Sequence, residues 1–294
     1  MIVSVSMKNS KTLVVIGTFN RLLQRRGNRQ QFGFSARLLD HLRVCRHICS
    51  KHEHKPSMLK YISSKIKTSG PITVADYMKE ALTNPIAGYY MHKDVFGQQG
   101  DFITSPEISQ MFGELVGIWV VNEWMQSGSP QQLNVVELGP GRGTLMDDML
   151  RVFSQFKEIK DAVSVHLVEV SPKLSQLQAV KLTGDSSSLG SDITNGTCYR
   201  EAKSKFGPSV QWYRQLKDVP QGVSCFIAHE FFDALPIHKF QKKDGRWHEM
   251  LVNYTEEKDT LHYVLSRGPT AANVLLQVEN SDPREHVELC PEVA

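Results

Sequence analysis

The chain has 294 residues, of which 40% are hydrophobic and 22% are charged. This composition is typical of a globular protein with a sizeable core. No segment approaches the roughly 20 consecutive apolar residues that a membrane-spanning helix needs, so we expect no membrane insertion. Five cysteines are too few, and odd in number, for a secreted disulfide scaffold.

The formal net charge of +3 is unevenly distributed along the chain. Residues 1–60 carry 12 Lys and Arg against two acids, whereas residues 61–294 carry 22 against 29. The body is therefore acidic, which excludes a basic nucleic-acid-binding domain as the simple interpretation. Residues 1–57 combine arginines with leucines and phenylalanines, which is typical of a cleaved mitochondrial presequence. A disordered basic tail and a secretory signal peptide are the alternatives.

One group of potential zinc ligands lies in this basic segment: Cys45, Cys49, His52 and His54. Structural zinc sites usually separate their two ligand pairs by a longer loop, which lets a tetrahedron close. We therefore predict no metal site in this protein.

Residues 58–130 are predicted to form an N-terminal helical cap. Thr73 and Asp76 form a capping pattern for a helix that Asn84-Pro85 ends. Ser105-Pro106-Glu107 predicts the start of a second helix that runs to about residue 125. Its expected buried face comprises Ile108, Met111, Phe112, Leu115, Val116, Trp119, Val120 and Trp124.

From residue 131 onwards, apolar strands alternate with helical segments. The predicted strands cover residues 135–138, 163–170, 210–213 and 223–228, and the predicted helices cover 145–156 and 174–182. This alternation predicts an α/β fold with a parallel, doubly wound sheet. Three later strands, at 238–241, 247–252 and 261–265, predict an antiparallel meander.

The most informative segment is a glycine loop that follows the first of these strands. Glu137 precedes Gly139, Gly141 and Gly143, and a helix is predicted to follow. Glycines let a ligand approach the backbone, and the helix start offers free N–H groups. A dinucleotide site would prefer the spacing G-x-G-x-x-G, which leaves a nicotinamide-binding Rossmann domain as the alternative. The acid beside the loop favours a cationic ligand such as S-adenosylmethionine.

Two later acidic segments also follow predicted strands. Glu169 ends the second strand, where a carboxylate can bind both hydroxyls of a ribose. His229, Glu230 and Asp233 follow the fourth strand, and ligands of open α/β sheets lie beyond the strand ends. A solvated strand-to-helix turn is the alternative interpretation of this last group.

Three segments together resemble the MidA-like methyltransferases: GDFITSPEIS at 100–109, ELGPGRGT at 137–144 and HEFFDALP at 229–236. The resemblance covers about residues 58–294. It implies a class I, Rossmann-like, S-adenosylmethionine-dependent fold with an N-terminal helical lid. For the eukaryotic branch, it also implies a location in the mitochondrial matrix and symmetric dimethylation of an arginine on a subunit of respiratory complex I.

The resemblance also suggests roles for individual positions. Glu137 and the three glycines of the loop would bind the cofactor, and Glu169 its ribose. Asp101 belongs to the segment that is expected to fold over the active site. Bacterial members commonly carry Asn where this chain has His229, so that position is either catalytic or only shapes the pocket.

Arginine methylation requires carboxylates that grip the planar guanidinium, because this group stays protonated. We hypothesise that Glu230 and Asp233 form this clamp, and that His229 orients the substrate or helps to remove the proton. The sequence leaves two other functions open. The first is that of a non-catalytic complex I assembly chaperone, or of an inactive truncated fragment. The second is methylation of a small molecule.

Members of the resembling family continue well past residue 294. The resemblance therefore predicts that residues 131–294 form a partial methyltransferase core, with a sheet that C-terminal truncation leaves incomplete.

Overall fold

The computed structural model describes residues 12–13, 57–92, 101, 103–184, 191–192, 197–276 and 283–291. Its helices are α1 (Met58–Ser69), α2 (Val74–Thr83), α3 (Tyr89–His92), α4 (Ser105–Ile108), α5 (Gln110–Gln126), α6 (Thr144–Phe153), α7 (Lys157–Ala162), α8 (Pro172–Thr183) and α9 (Ala271–Leu275). Within these ranges, no helix is both long and apolar enough to cross a membrane. The four potential zinc ligands lie outside the described residues, as does most of the predicted presequence.

The strands form two sheets. They are β1 (Thr12–Leu13), β2 (Ile72–Thr73), β3 (Leu133–Leu138), β4 (Val163–Val168), β5 (Ser191–Asp192), β6 (Arg200–Lys203), β7 (Ser209–Tyr213), β8 (Ser224–Ala228), β9 (His238–Lys243), β10 (Arg246–Thr255), β11 (Thr260–Leu265) and β12 (His286–Leu289). The order of the first sheet is β1-β8-β3-β4-β7-β6-β5, and the order of the second is β11-β10-β9-β12, with β2 also paired to β10.

The first sheet confirms the predicted α/β class. Strands β8, β3, β4 and β7 pair in parallel, whereas β6 and β5 run antiparallel at one edge. The chain passes outwards from β3 to β4 and β7 and then returns to β8 on the other side of β3. The strand order therefore reverses between β3 and β8, and open α/β sheets bind their ligands at such a switch point.

Some predicted boundaries in this sheet are wrong. The helix expected over 145–156 ends early, at Phe153, and a separate helix that was not predicted, α7, begins at Lys157. The Ser154 hydroxyl donates to the Arg151 carbonyl at 2.6 Å, a local bond that competes with continuing the helix. The second strand ends at Val168 instead of residue 170. Strand β6 was not predicted, since Ala202 is its only apolar residue.

Helices α5, α6 and α8 cover one face of the parallel strands. Val135, Val165 and Val210 lie side by side in register on this face and are fully buried. They share one core with apolar residues of the three helices, such as Val120 and Met149. Because α6 and α8 begin just after β3 and β4, their N-termini lie at the edge of the sheet where the strands end.

Helix α5 differs from its prediction in two ways. The chain is extended at Ser109, with φ of −149°, so the helix predicted from residue 105 is divided into α4 and α5. The expected buried face is also partly wrong, since Ile108 and Met111 are 73% and 65% exposed. Apolar residues occur all round α5, so the helical period alone could not select the side that packs.

Two glycines select the buried side of α5. A Cβ on Gly113 would lie 2.5 Å from the Cβ of Asp148, and one on Gly117 would lie 3.1 Å from the Cα of Met149. Since both contacts are with α6, the two helices approach more closely than a larger side chain would permit. This approach fixes α6, and therefore the glycine loop that leads into it.

We predict that Gly113→Ala lowers the free energy of unfolding by about 1–3 kcal/mol, because the added methyl group overpacks the contact with α6. This destabilisation is the reverse of the usual effect, since Gly to Ala usually stabilises a helix interior by about 1 kcal/mol. Urea unfolding followed by tryptophan fluorescence measures the change. Gly268→Ala is the matched control, as its added Cβ meets nothing within 4 Å. Equal stability of Gly113→Ala and the wild type would refute the close contact.

The second sheet confirms the predicted meander, since β9, β10 and β11 pair antiparallel in chain order. Helices α1 and α2 pack on it through a separate core that includes Ile62, Ile66, Val74 and Val252. Thr73 begins α2 as predicted, because its hydroxyl accepts a hydrogen bond from the Asp76 N–H at 3.0 Å.

The predicted cap therefore contributes to both cores: α1 and α2 pack on the meander, and α5 packs on the first sheet. The division at residue 130 stays a prediction.

Candidate functional site

The glycine loop is left-handed at three alternate residues. Gly139, Gly141 and Gly143 have φ values of 62°, 56° and 79°, which glycine adopts at little cost. The N–H of Gly143 donates to the carbonyl of Pro140 at 2.8 Å, which closes the turn directly before α6. The spacing G-x-G-x-G is thus a backbone requirement of the turn from β3 to α6.

The acidic segment that follows β8, residues 229–236, contacts the first glycine of this loop. Strands β3 and β8 are neighbours that end in register, with Leu138 opposite Ala228. Phe231 follows directly, and a Cβ on Gly139 would lie 2.6 Å from its ring. Gly139 is therefore required for both conformation and space, and residues 229–236 begin beside the loop.

His229 is half-buried next to the core. Its ring lies 5.2 Å from that of Phe112, and its Nε2 has no hydrogen-bond partner in the described part of the chain. Burial lowers the pKa of His229, and the charge of Glu230 opposes that shift. Burial therefore favours the neutral imidazole, and its buried Nε2 retains hydrogen-bonding capacity.

Glu137 is a buried carboxyl group with an unmet hydrogen-bonding need. Its residue is 3% exposed, and among the described residues its Oε2 has no partner. Burial raises the pKa of Glu137 to about 8. An unpaired buried carboxylate is costly, so a cationic ligand that reached this oxygen would gain a strong interaction.

Glu169 is equally buried, but its carboxylate is held by the protein. Its Oε1 accepts from the N–H of Ser171 at 2.7 Å, and its Oε2 accepts from the amide of Gln178 at 3.0 Å. Burial raises the pKa of Glu169 to about 7, although these two bonds act in the opposite direction. The same Gln178 amide donates to the carbonyl of Gly141 at 2.8 Å. The structure thus brings Glu169 and the glycine loop together.

Gln178 was not among the predicted site residues. The one available signal was its position on α8, four residues after Leu174 and four before Leu182, which are both buried. A polar residue in that row must find its partners inside the protein.

A second overlooked residue, Glu107, attaches α4 to the loop. Its carboxylate accepts hydrogen bonds from the Thr144 hydroxyl and from Arg142, the latter at 3.3 Å. Glu107 lies within the GDFITSPEIS segment, but the segment was assigned a role only through Asp101.

Helix α3 connects the remaining predicted residues. The Tyr89 hydroxyl donates to Asp101 at 2.5 Å, and the carbonyl of Tyr90 accepts from the Ser171 hydroxyl at 2.6 Å. Burial raises the pKa of Tyr90, and the negative charge of Asp233 raises it further. Asp101 and Asp233 thus each interact with one of two adjacent tyrosines in α3. The second of these tyrosines is also bonded to Ser171, just beyond the end of β4.

Glu230 and Asp233 are exposed, as is Asp101. Glu230 has a φ of 51°, which is uncommon for a residue with a side chain and costs of order 1 kcal/mol. Residues held in such conformations cluster at functional sites. The acidic turn after β8 thus presents two carboxylates to solvent beside the glycine loop.

A family model of S-adenosyl-L-methionine-dependent methyltransferases matches residues 115–294. The chain belongs to this methyltransferase family.

The curated relatives are longer proteins. The Xenopus laevis protein named protein arginine methyltransferase NDUFAF7, mitochondrial, is 51% identical over 262 residues, which cover 85% of this chain and 59% of that protein. The human protein of the same name is 50% identical and covers 80% of this chain and 53% of that protein. The chain thus spans little more than half the length of these relatives.

The fold comparison gives the same class. A COG1565 superfamily member from Burkholderia thailandensis, bound to S-adenosyl-homocysteine, matches with a TM-score of 0.58 at 22% identity. The match covers 79% of this chain and 56% of that one. It confirms the Rossmann-like methyltransferase fold that the sequence predicted.

The residues of the site fit the cofactor of this methyltransferase family. S-adenosylmethionine carries an ammonium and a sulfonium group, and the unpartnered Oε2 of Glu137 is an acceptor suited to such charge. The three left-handed glycines of the loop leave its backbone open to a ligand at the start of α6. The acceptor at Glu137 and the open glycine loop are both already formed in the ligand-free protein.

We predict that the contribution of Glu137 to the stability of the ligand-free protein falls as pH rises from 4.5 to 8, since Glu137 ionises near 4.5 when unfolded but near 8 when folded. Its stabilising contribution is complete below pH 4.5 and is lost as the pH passes 8. Glu137→Gln should reduce the difference in unfolding free energy between pH 5 and pH 8 by roughly 3–4 kcal/mol. Urea unfolding at both pH values measures it.

Glu158→Gln, at an exposed position on α7, is the control and should retain the wild-type difference. An unaltered pH dependence in Glu137→Gln would contradict the buried, unpaired state of this carboxyl group.

Proposed function

We propose that this protein is an S-adenosylmethionine-dependent protein arginine N-methyltransferase of the mitochondrial matrix. Its substrate would be an arginine of a respiratory complex I subunit, which it would dimethylate symmetrically. Family membership and the names of the curated relatives support methyl transfer to arginine and a mitochondrial location. The complex I subunit, the matrix location and the symmetric product follow from the resemblance to MidA-like methyltransferases.

The observation that carries the proposal is the contact between Phe231 and Gly139. It joins the acidic turn after β8 to the cofactor loop at the point where the strand order reverses. A methyl donor held by the loop would then lie next to carboxylates that can bind a cationic acceptor.

On the cofactor side, Glu137 would pair with the positive charge of the methionyl portion. Gly139, Gly141 and Gly143 would let the ligand approach the backbone, and Glu169 would accept hydrogen bonds from the ribose hydroxyls. When bound, S-adenosylmethionine supplies an electrophilic methyl group on its sulfonium.

On the acceptor side, the protein must orient a guanidinium and remove one proton from it. Glu230 and Asp233 are exposed carboxylates that can hold the planar group through paired hydrogen bonds. Asp101, tied to Tyr89, would bound the site from the N-terminal segment. The neutral His229 has an unpartnered Nε2 that can accept a proton in the tautomer with hydrogen on Nδ1.

We expect the chain to bind S-adenosylmethionine, and Gly141→Val to weaken this binding at least about tenfold. Valine is strained at a φ of 56°, and its branched side chain would enter the loop where the ligand meets the backbone. Isothermal titration calorimetry measures both affinities. Undiminished binding by Gly141→Val would refute the placement of the cofactor loop, and no binding by the wild type would favour a non-catalytic assembly chaperone.

We expect Glu230→Gln to reduce methyl transfer by about 100-fold or more while S-adenosylmethionine affinity stays within about twofold, because it removes half of the guanidinium clamp. Transfer of tritiated methyl groups to purified complex I subunits measures the rate. Glu257→Gln, in the exposed turn between β10 and β11, is the control that should keep the wild-type rate. Wild-type transfer by Glu230→Gln would contradict the assignment, and label found only in small molecules would indicate a different acceptor.

A further inference from the structure

The side chain of Gln178 is fully buried and makes three hydrogen bonds to three different elements. Its Nε2 donates to the Gly141 carbonyl at 2.8 Å and to Glu169 Oε2 at 3.0 Å. Its Oε1 accepts from the indole N–H of Trp212, in β7, at 3.0 Å. Both amide hydrogens and the carbonyl oxygen are therefore hydrogen-bonded, so the side chain does more than fill space in the core.

The orientation of this amide is determined by chemistry. An indole nitrogen can only donate, so Trp212 requires the oxygen of Gln178 on its side. The amide nitrogen is then directed at two acceptors, the Gly141 carbonyl and the Glu169 carboxylate. A flipped amide would place its nitrogen against the indole N–H and its oxygen against two acceptors, at the expense of all three bonds.

The backbone of the loop lies against the same side chain. A Cβ on Gly143 would lie 3.3 Å from the Cγ of Gln178 and 3.5 Å from its Cα. Gln178 thus contacts the glycine loop by van der Waals packing at Gly143 and by a hydrogen bond at Gly141.

We propose that Gln178 is a positioning residue that sets Glu169 and the glycine loop in one fixed geometry for the ribose of the cofactor. The proposal rests on the proposed function, in which Glu169 receives the ribose hydroxyls. In this role Gln178 acts through Glu169 and Gly141.

The hydrogen-bond count of Glu169 explains why this position matters. The Ser171 N–H donates to Oε1, Gln178 donates to Oε2 and the backbone of Val170 supplies a further hydrogen bond, and the carboxylate retains acceptor capacity. Two adjacent hydroxyls can therefore bind the two oxygens only while both protein donors hold the carboxylate in place. Without Gln178, burial would raise the pKa of Glu169 further, and the protonated group would be a poorer acceptor.

The test compares Gln178→Met, Trp212→Phe and the wild type by calorimetry with two probes. The probes are S-adenosylhomocysteine and its analogue that lacks the 2′ and 3′ hydroxyls. Methionine preserves the shape of the side chain but removes all three hydrogen bonds, whereas Trp212→Phe removes the donor that orients the amide together with part of a buried ring. Gln155→Met, at an exposed position, is the matched control.

Gln178→Met should weaken S-adenosylhomocysteine about 10–100-fold, the effect of leaving a buried polar group unsatisfied. It should weaken the dideoxy analogue by a much smaller factor, since that analogue loses only the support of the glycine loop, and Trp212→Phe should give an intermediate loss with the same selectivity. Both proteins should lose affinity for S-adenosylhomocysteine as the pH is lowered. In Gln178→Met this loss should begin at a higher pH than in the wild type, because the pKa of Glu169 is raised. Combining Gln178→Met with Glu169→Gln should then add little further loss.

Equal losses for both probes, or unchanged affinity for S-adenosylhomocysteine in Gln178→Met and Trp212→Phe, would overturn the proposal. If Gln178→Met fails to fold, the selectivity of Trp212→Phe alone decides between these results. A wild type that binds S-adenosylhomocysteine with this selectivity but transfers no methyl group supports the role of Gln178 while the proposed function fails. No binding by the wild type overturns both.

Discussion

The turn from β3 to α6 needs three left-handed residues in five, and the rest of the site depends on how that turn is held. Glycines make the turn possible but do not make it rigid, because they lose the most conformational freedom on folding. Rigidity comes from three neighbours that contact the loop at different residues. Phe231 packs on Gly139, Gln178 holds Gly141 and Gly143, and Glu107 binds the side chains of residues 142 and 144.

Two buried carboxyl groups flank this turn, and the protein treats them differently. Glu169 has a protein donor for each oxygen, whereas Glu137 retains one oxygen without a partner among the described residues. Desolvation raises the pKa of both, so in the ligand-free protein they oppose folding near neutral pH. A cationic cofactor would relieve this cost at Glu137. The acidity of residues 61–294 gives the same preference for positively charged ligands over a longer range.

The sequence was sufficient for features that depend on local backbone chemistry. Glycine spacing predicted the loop, Thr73 predicted the start of α2, and strand-helix alternation predicted the parallel sheet. It was insufficient where a choice depends on tertiary contacts. Met111 lies outside the core because Gly113 and Gly117 turn the opposite side of α5 towards α6, and Ile108 belongs to the separate helix α4. The partners of Gln178 come from three segments that are distant in the chain, so no local pattern could reveal them.

The turn after β4 joins the two halves of the site within three residues. Glu169 is the acid proposed for the cofactor, while the Ser171 hydroxyl binds the Tyr90 carbonyl of α3, next to the tyrosine that holds Asp101. The N–H of Ser171 also donates to Glu169, so one residue bonds both halves. Any displacement of this turn must move Glu169 and α3 together. The proposed ribose role of Glu169 would therefore couple occupation of the cofactor site to the position of α3, because both depend on the same short stretch of backbone.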